Sequence, residues 1–313
     1  MLYKTKGITE GAILIAAFVI LLFITLYIPI LGAITSLFMV LPFILYSSKY
    51  PLKYSLMLLA ASIGLALIIG NILALPVAIF AAFIGILMGW QIQLKQPKIM
   101  ILLSSTVLFL IIFSSQYVIS VLFLEMNFVT ELFALLSESI QQSIKFMEMI
   151  GQTPDEKVVE KMNEMVSLTS TLIPSIFVLV SVMSVFLSML INFPIARRLG
   201  VNVPKFQPFR EMVLPKSILW YYLITLIVSL LIPFEKGSFS YMAFMNVSFI
   251  LQFLFLLQGF SFIYFWSSLQ KWPKAVPITL TIFVLIFAPL LYIIRLLGII
   301  DLGFNLRQRL QQK

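Results

Sequence analysis

The 313-residue chain is 61% hydrophobic and only 11% charged, which excludes an ordinary soluble protein, since soluble domains are about half apolar and about a quarter charged. It contains no cysteine and no histidine, which excludes disulfides, thiol catalysis, and metal sites or proton relays built on these residues. The net charge of +9 is typical of a membrane protein with basic loops. We do not expect nucleic acid as a partner, because no basic surface with interleaved aromatic residues is present.

Apolar stretches follow one another along the whole chain and define the fold class. The predicted spans are 11–31, 33–48, 54–70, 72–92, 99–124, 168–195, 217–234, 239–268 and 275–298. Most are close to the roughly 20 residues that a helix needs to cross a bilayer, and helix breakers and charges such as Asn71 separate them. The sequence therefore predicts an all-α polytopic membrane protein, a helical bundle of about nine transmembrane segments.

Lysine and arginine predict the orientation, because cytoplasmic loops of membrane proteins are enriched in these residues. With the N-terminus inside, thirteen cations fall on the cytoplasmic side and four on the outer side, with the tail left aside. We therefore predict a multi-pass protein of the bacterial cytoplasmic (inner) membrane with a cytoplasmic N-terminus. Nine crossings leave Arg307, Arg309 and Lys313 outside, against the same rule. A bend at Pro289 would leave each arm of 275–304 too short to cross, so the side of the tail stays open.

An acidic segment interrupts the apolar pattern and suggests three domains. Eight of the twelve acids lie between positions 125 and 167, where apolar residues still recur at helical spacing. Thr153, followed by a proline and by Glu156, is typical of a helix N-terminus with a capping box. We predict an extracytoplasmic insert of two amphipathic helices, 127–150 and 154–167. The predicted domains are an N-terminal five-helix half (1–125), the insert (126–167) and a C-terminal four-helix half (168–313).

Catalytic patterns are absent from the sequence. It has no P-loop, no G-x-S-x-G nucleophile elbow and no zinc-protease motif. The predicted spans contain no acid, which argues against a carboxylate-driven proton pump. We therefore expect neither an enzyme nor a cofactor.

Uncharged polar residues within the fifth and eighth spans are the candidates for a binding site. They are predicted to line a cavity for a small polar solute, unless they only form hydrogen bonds between helices. The candidates are Ser114, Ser115, Gln116, Tyr117, Asn246 and Gln252.

Arg295 is the sole charge deep in the last apolar stretch. It is a candidate contact for an anionic group. Alternatively, its long side chain reaches the membrane interface from a helix end, and Asp301 is close enough in sequence to pair with it.

Small residues spaced four apart form flat helix faces on which another backbone packs closely. Ala12 and Ala16 form such a face near the cytoplasmic end of the first helix, and we predict that it docks a partner protein. Similar faces at Ala60 and Gly64, and at 81–89, are expected to pack inside the bundle. The basic loop 197–216 is a second candidate surface for a partner or for anionic lipid, unless its charges only set the orientation of the chain.

The N-terminal residues resemble a known transporter component. The segment Thr9-Glu10-Gly11-Ala12, with further similarity at 16–17, 27–30, 41–45, 60–70 and 85–90, resembles the opening of energy-coupling-factor substrate-binding (S) components. This resemblance implies that Ala12 and Ala16 dock a membrane coupling subunit. S components have six helices, whereas this chain has an acidic insert and further spans, and no vitamin- or metal-binding residues match.

The whole chain resembles the YybS family of uncharacterised bacterial membrane proteins, through its 208–215 loop and its 297–309 ending. Two functional hypotheses follow. The first is a transport-related module that binds a small solute and needs a partner for energy, either a coupling subunit or another membrane protein. The alternative is a non-transporting membrane scaffold or regulator.

Overall fold

The computed structural model describes residues 2–151, 155–205 and 207–311, and within them every regular element is helical. One 3-10 turn, Phe209–Glu211, lies between α8 and α9. The helices are α1 Leu2–Tyr27, α2 Pro29–Ser36, α3 Leu41–Ser47, α4 Leu52–Gln93, α5 Lys98–Phe123, α6 Phe128–Met149, α7 Glu156–Thr171, α8 Ile173–Arg198, α9 Ser217–Leu231, α10 Phe239–Leu269, α11 Ala275–Ile286, α12 Ala288–Phe304 and α13 Leu306–Gln311.

Six helical segments of the described chain are long and apolar enough to cross a membrane. They are Lys6–Tyr27, Pro29–Ser47, Leu52–Gln93, Lys98–Phe123, Ile173–Arg198 and Phe239–Leu269. Two shorter apolar helices, α9 and α11, accompany them. The all-helical class and the membrane-spanning character therefore agree with the sequence analysis.

The described residues divide into two compact units. Unit 1 comprises residues of 1–131 and 176–205, and unit 2 comprises residues of 132–175 and 206–313. Most of α8 belongs to the same unit as the N-terminal helices. The predicted domains 1–125, 126–167 and 168–313 stay a prediction.

In unit 1, α1 forms a hairpin with the broken helix pair α2–α3. Glu10 and Lys49 form an ion pair of 3.6 Å at one end. Phe18 packs edge-on against Phe43, with ring centroids 5.0 Å apart. We define the end with Glu10 and Lys49 as the basic end of unit 1, because the loops that join its helices there contain lysine.

Helix α4 is a second hairpin, although its helical pattern is almost continuous. Gly70 and Asn71 leave the helical conformation, and Asn71 has a φ of 55°. The carbonyl of Ile69 accepts a hydrogen bond of 2.7 Å from Tyr27 Oη, far from the basic end. The second half returns, since a Cβ on Gly85 would lie 2.6 Å from Phe43 Cβ and one on Gly89 would lie 2.6 Å from the Ile44 carbonyl. The break at Asn71 therefore separates two antiparallel arms.

The two small-residue faces of α4 differ in their packing. Gly85 and Gly89 pack against α3, as predicted. Ala60 and Gly64 are exposed, and nothing lies within 4 Å of a Cβ built on Gly64. The expectation that this first face packs inside the bundle is therefore not met.

Helices α5 and α8 complete unit 1 as an antiparallel pair. Gln91 donates a hydrogen bond of 2.6 Å to Ser104, at the start of α5. Near the same end, Lys98 Nζ of α5 lies 5.2 Å from the ring centroid of Phe193 in α8, and at the other end of α5 the rings of Tyr117 and Phe177 lie 5.5 Å apart. Unit 1 thus contains six apolar segments among its described residues: α1, α2–α3, the two arms of α4, α5 and α8.

The acidic segment forms two helices, α6 and α7. No residue of α6 is buried, and the apolar side chains of Leu132, Leu135 and Phe146 are exposed. Thr153 lies outside the described residues. The observed cap of α7 is Asp155, whose carboxylate accepts a hydrogen bond of 3.0 Å from the backbone of Lys157. The second helix therefore begins at Glu156 rather than at 154.

In unit 2, α10 and α12 run parallel and touch along their backbones. A Cβ on Gly259 would overlap the carbonyl oxygen of Ile294, and one on Gly298 would overlap that of Phe255. Gln252 bonds Arg295, and Gln258 bonds Asp301, each across a separation of 43 residues. The equal separation requires both helices to run in the same direction.

The last apolar stretch, 275–298, is not one continuous helix. It breaks at Phe287 into α11 and α12. Val276, at the start of α11, lines the same cavity as Leu310 in α13, so α11 and α12 are antiparallel. With 12 residues, α11 is only roughly 18 Å long, too short to cross a bilayer of about 30 Å. The stretch predicted as the ninth span is therefore part of a hairpin of α11 and α12, which we call the re-entrant hairpin, and both ends of this hairpin lie at the same end of α10. The number of membrane crossings stays a prediction.

The hairpin returns the tail to the end of α10 that carries Lys271. We predict that cysteines introduced at Lys271 and Gln308 label from the same side of the membrane, and that a cysteine at Lys236 labels from the other side. Membrane-impermeant maleimide, applied before and after permeabilisation, provides the measurement, and the cysteine-free chain supplies a clean background. Opposite sides for Lys271 and Gln308 would restore a ninth crossing.

Candidate functional site

Arg295 lies on the face of α12 that packs against α10, in unit 2. Its guanidinium donates a hydrogen bond to Gln252 Oε1. It also stacks on Tyr292, 4.7 Å from the ring centroid. The side chain is half-buried, so helix packing fixes its position.

Arg295 has no carboxylate partner within the described ranges. The ion pairs within 4.0 Å there are Lys49–Glu10, Arg210–Glu211, Lys236–Glu164 and Arg307–Asp301. The expected pairing of Arg295 with Asp301 does not form, because Asp301 lies six residues further along α12, on a different face, and pairs with Arg307 instead. A full positive charge is therefore left with a neutral amide and an aromatic ring.

Arg295 lies near the middle of the helix pair. Its partner Gln252 is roughly 20 Å from the Phe239 end of α10 and roughly 25 Å from the Leu269 end, at about 1.5 Å per residue. These distances exceed the reach of an arginine side chain, so the guanidinium lies far from both ends of α10. Its placement at the membrane interface stays the alternative prediction.

Two openings in unit 2 meet at Gln252. The first, the Arg295 cleft, has a volume of about 430 Å³ and is lined by Gln252, Tyr292 and Arg295 among apolar residues. The second, the Ser248 cavity, has a volume of about 320 Å³ and is lined by Thr225, Ser229, Ser248 and Gln252. Phe249 also borders both. The polar side chains that line the two openings lie among apolar residues, and we call this set of side chains the polar wall.

Ser248 is the unsatisfied group of this wall. It is 9% exposed, and its hydroxyl has no hydrogen-bond partner. Thr225 and Ser229 use their hydroxyls on carbonyls of their own helix, at 2.7 Å each. A buried hydroxyl without a partner is unfavourable, so Ser248 offers a free donor and acceptor to a bound molecule.

Asn246, in contrast, is fully used as a structural clamp. Its Oδ1 accepts hydrogen bonds from the backbone and hydroxyl of Ser175, at 2.8 and 2.6 Å. Its Nδ2 donates to the carbonyls of Thr171 and Met242, both at 2.8 Å. This amide ties the α7–α8 junction to α10, which matches the alternative of hydrogen bonding between helices.

The candidates of the fifth span lie in unit 1. Gln116 donates to the Pro76 carbonyl at 3.1 Å, and Tyr117 donates to Asn127 Oδ1 at 3.1 Å. Ser114 is half-buried and Ser115 is exposed. The predicted cavity shared with Asn246 and Gln252 stays a prediction.

Ala12 and Ala16 are both exposed on α1. The opposite face of α1 packs inside unit 1, where Phe18 and Leu22 are fully buried. The predicted docking face is therefore open within the unit, and its occupant stays a prediction.

A buried polar network lies at the end of the α10–α12 pair. Asp301 is 3% exposed, and its Oδ2 accepts hydrogen bonds of 2.6 Å from Gln258 Nε2 and 3.0 Å from Arg307 Nε. Arg307 also donates to Ser261 Oγ at 3.1 Å and to the Arg210 carbonyl at 2.8 Å. One arginine thus joins α10, α12 and the loop before α9.

The network fixes that loop in place. Ser261 Oγ lies 2.7 and 2.8 Å from the carbonyl oxygens of Phe209 and Met212. Gln258 Oε1 accepts 2.9 Å from the backbone of Leu214. The sequence identified the 208–215 loop and the 297–309 ending as features of a family resemblance, but it did not predict that these two segments contact each other. The sequence signal for a close helix contact was a pair of glycines. Gly259 is next to Gln258, and Gly298 lies three residues before Asp301.

We predict that Asp301→Asn destabilises the protein by about 3–5 kcal/mol, because it leaves the buried Arg307 without its counter-charge. Thermal unfolding in detergent provides the measurement. Exposed Glu211→Gln, in the same loop, serves as the control and is expected to be near neutral. The double variant Asp301→Asn/Arg307→Gln should recover part of the loss, and strict additivity of the two single effects would contradict the coupling.

Comparison with known proteins places the chain in a family. Residues 16–302 match the family described as "Predicted membrane protein (DUF2232)". The chain is 33% identical to "Uncharacterized protein YybS" of Bacillus subtilis (strain 168), over 98% of this chain and 99% of that relative. No solved structure matches the chain. The resemblance to the YybS family and the membrane class are thus confirmed, whereas the S-component resemblance gains no support and stays a prediction.

Proposed function

The chain belongs to the DUF2232 family of membrane proteins, and we propose that it binds a small anionic solute within the membrane as a transport-related module. The observation that carries this proposal is Arg295, a charge near the middle of two apolar helices that has no carboxylate partner within the described chain. Isolated charges inside membranes are unfavourable and mark ligand or ion sites.

The chemistry of the openings favours an anion. Arg295 supplies a permanent positive charge, and Ser248 supplies a free hydroxyl. Gln252 borders both openings and accepts from Arg295 through Oε1; its Nε2 has no acceptor among the described residues. A carboxylate or phosphate accepts from such donors, and charge-assisted hydrogen bonds are the strong ones. The volumes suit a solute of a few heavy atoms rather than a large cofactor.

Transport would need a second protein for energy, since the sequence contains no nucleotide-binding loop. The open Ala12–Ala16 face of α1 supports a coupling partner at this position. The six apolar segments of unit 1 equal the helix number of the S components that the N-terminal sequence resembles. We place the N-terminus in the cytoplasm, because the re-entrant hairpin then returns Arg307 and Arg309 to the cytoplasmic side and removes the exception to the positive-inside rule.

Arg295→Gln tests the solute site. We expect that acetate, succinate, sulfate or inorganic phosphate, in excess over its dissociation constant, stabilises the parent protein by about 2–3 kcal/mol, and that the variant loses this gain. Thermal unfolding of the purified full chain, followed by equilibrium dialysis with the labelled anion, provides the measurement. Arg198→Gln, an exposed arginine of unit 1, is the matched control and should keep the full gain.

The stability of the variant without added anions separates a binding role from a structural one. Removal of an unpaired charge from an apolar helix pair should leave stability equal or raised. A large loss of stability in Arg295→Gln, or equal anion effects on all three proteins, would contradict the proposed site.

Ala12→Leu/Ala16→Leu tests the docking face. The extra bulk should release a partner that packs closely there, while folding survives because both positions are exposed. Mild-detergent purification with quantitative mass spectrometry of bound membrane proteins provides the measurement. Ala243→Leu/Ala275→Leu adds the same bulk at exposed positions of unit 2 and should keep every partner. Retention of all partners by the α1 variant would favour the scaffold alternative, with docking elsewhere.

A further inference from the structure

A further opening of unit 2 lies between α10 and the re-entrant hairpin, away from the Arg295 cleft. It has a volume of about 780 Å³, within the range of about 300–1,000 Å³ that is usual for ligand sites. Ile294 and Leu297 of α12 line this opening, whereas Tyr292 and Arg295 face the other cleft. The two openings share no residue.

The hairpin geometry sets the boundaries of this opening. Helices α10 and α12 approach to backbone contact at Gly259 and Gly298, and α11 packs beside this pair through Val284, which lies in one apolar cluster with Phe260, Ile263 and Ile294. The outer residues of α11 are exposed, with Ile282 at 54% and Leu285 at 58%. The opening is therefore bounded by helix α11 on one side and by the α10–α12 pair on the other.

The lining changes character from the middle of the helices to their ends. Phe262, Ile263, Leu280, Ile294 and Leu297 form the apolar part. Trp266, Trp272 and Arg309 lie at the helix ends, where Ser267 is also present. The two tryptophan rings meet edge-on, with centroids 5.2 Å apart, and tryptophan is enriched where membrane meets water. The opening therefore changes along the helix axes from an apolar part to a polar end.

The polar end carries a net positive charge. Positions 236–313 contain a single acid, Asp301, and it is buried and paired with Arg307. Lys271 and Lys274 flank Trp272 in the sequence and are exposed. Arg309 has no carboxylate within 4.0 Å in the part of the chain that the structure describes. This end therefore complements a negative charge.

We propose that this opening is a binding site for one anionic glycerophospholipid, whose acyl chain fills the apolar part and whose phosphate faces Arg309 and Trp272. A long apolar body fits because the lining offers almost no polar group between the two ends. Basic pockets at the ends of membrane helices bind such headgroups. The site is independent of the proposed solute site and needs neither Arg295 nor a coupling partner.

Fluorescence quenching by brominated lipids tests the proposal on the full chain. Trp90→Phe/Trp220→Phe leaves Trp266 and Trp272 as the reporters. In bilayers, phosphatidylglycerol with brominated acyl chains should quench these reporters at a several-fold lower mole fraction than brominated phosphatidylcholine. Arg309→Gln should reduce this preference about fivefold, the effect expected of one cation near an anionic lipid.

A variant whose larger side chain fills the opening provides the second test of the lipid site. Val276 lines the opening, and Val276→Phe should abolish the preference for phosphatidylglycerol. Ile278→Phe adds similar bulk to an exposed, non-lining position of α11 and should leave the preference intact. Equal quenching by the two lipids would show an ordinary lipid contact and overturn the proposal. Loss of the preference in millimolar inorganic phosphate, but not in sodium chloride of equal ionic strength, would assign the site to a free anion and also overturn it.

Discussion

Backbone contact between α10 and α12 is the constraint on which unit 2 depends. Gly259 and Gly298 let the two helices approach where any side chain would overlap a carbonyl oxygen. In membranes such small residues replace the hydrophobic effect as the source of helix association, because lipid chains are as apolar as leucine. The contact also fixes the register of the parallel pair. Gln252 consequently meets Arg295, and Gln258 meets Asp301, across the same separation of 43 residues.

The same register gives Arg307 and Arg295 different hydrogen-bonding and charge partners. Arg307 has a buried carboxylate, a hydroxyl and a backbone carbonyl as partners, and this arrangement satisfies a charge that stabilises the fold. Arg295 has an amide and a ring, and this arrangement leaves room for a negative group. The contrast in partners separates a structural charge from a candidate binding charge, since neither residue is fully exposed.

The sequence predicted the features that depend on local chemistry. Composition predicted the helical membrane class, Asn71 marked a true helix break, and the 81–89 face predicted close packing. It did not predict which helices pack together, because α8 joins unit 1 across an intervening insert. It also did not predict the break at Phe287, because an apolar run of sufficient length satisfies a hydropathy rule whether or not the helix bends, and the backbone of Phe287 separates α11 from α12. The pairing of Asp301 with Arg307 rather than Arg295 depended on the contact of α12 with α10.

The re-entrant hairpin has a consequence for how the chain enters the membrane during synthesis. A ninth crossing would require Arg307 and Arg309 to be carried through the hydrocarbon layer, which is strongly unfavourable for each guanidinium. Because α11 and α12 begin and end at one face, the last segment can insert after α10 while its cations stay in water. Packing of α12 against α10 also brings Arg307 to Asp301 and to the carbonyl of Arg210 in the loop before α9. Loss of Arg307 would therefore remove a contact that joins this hairpin to that loop.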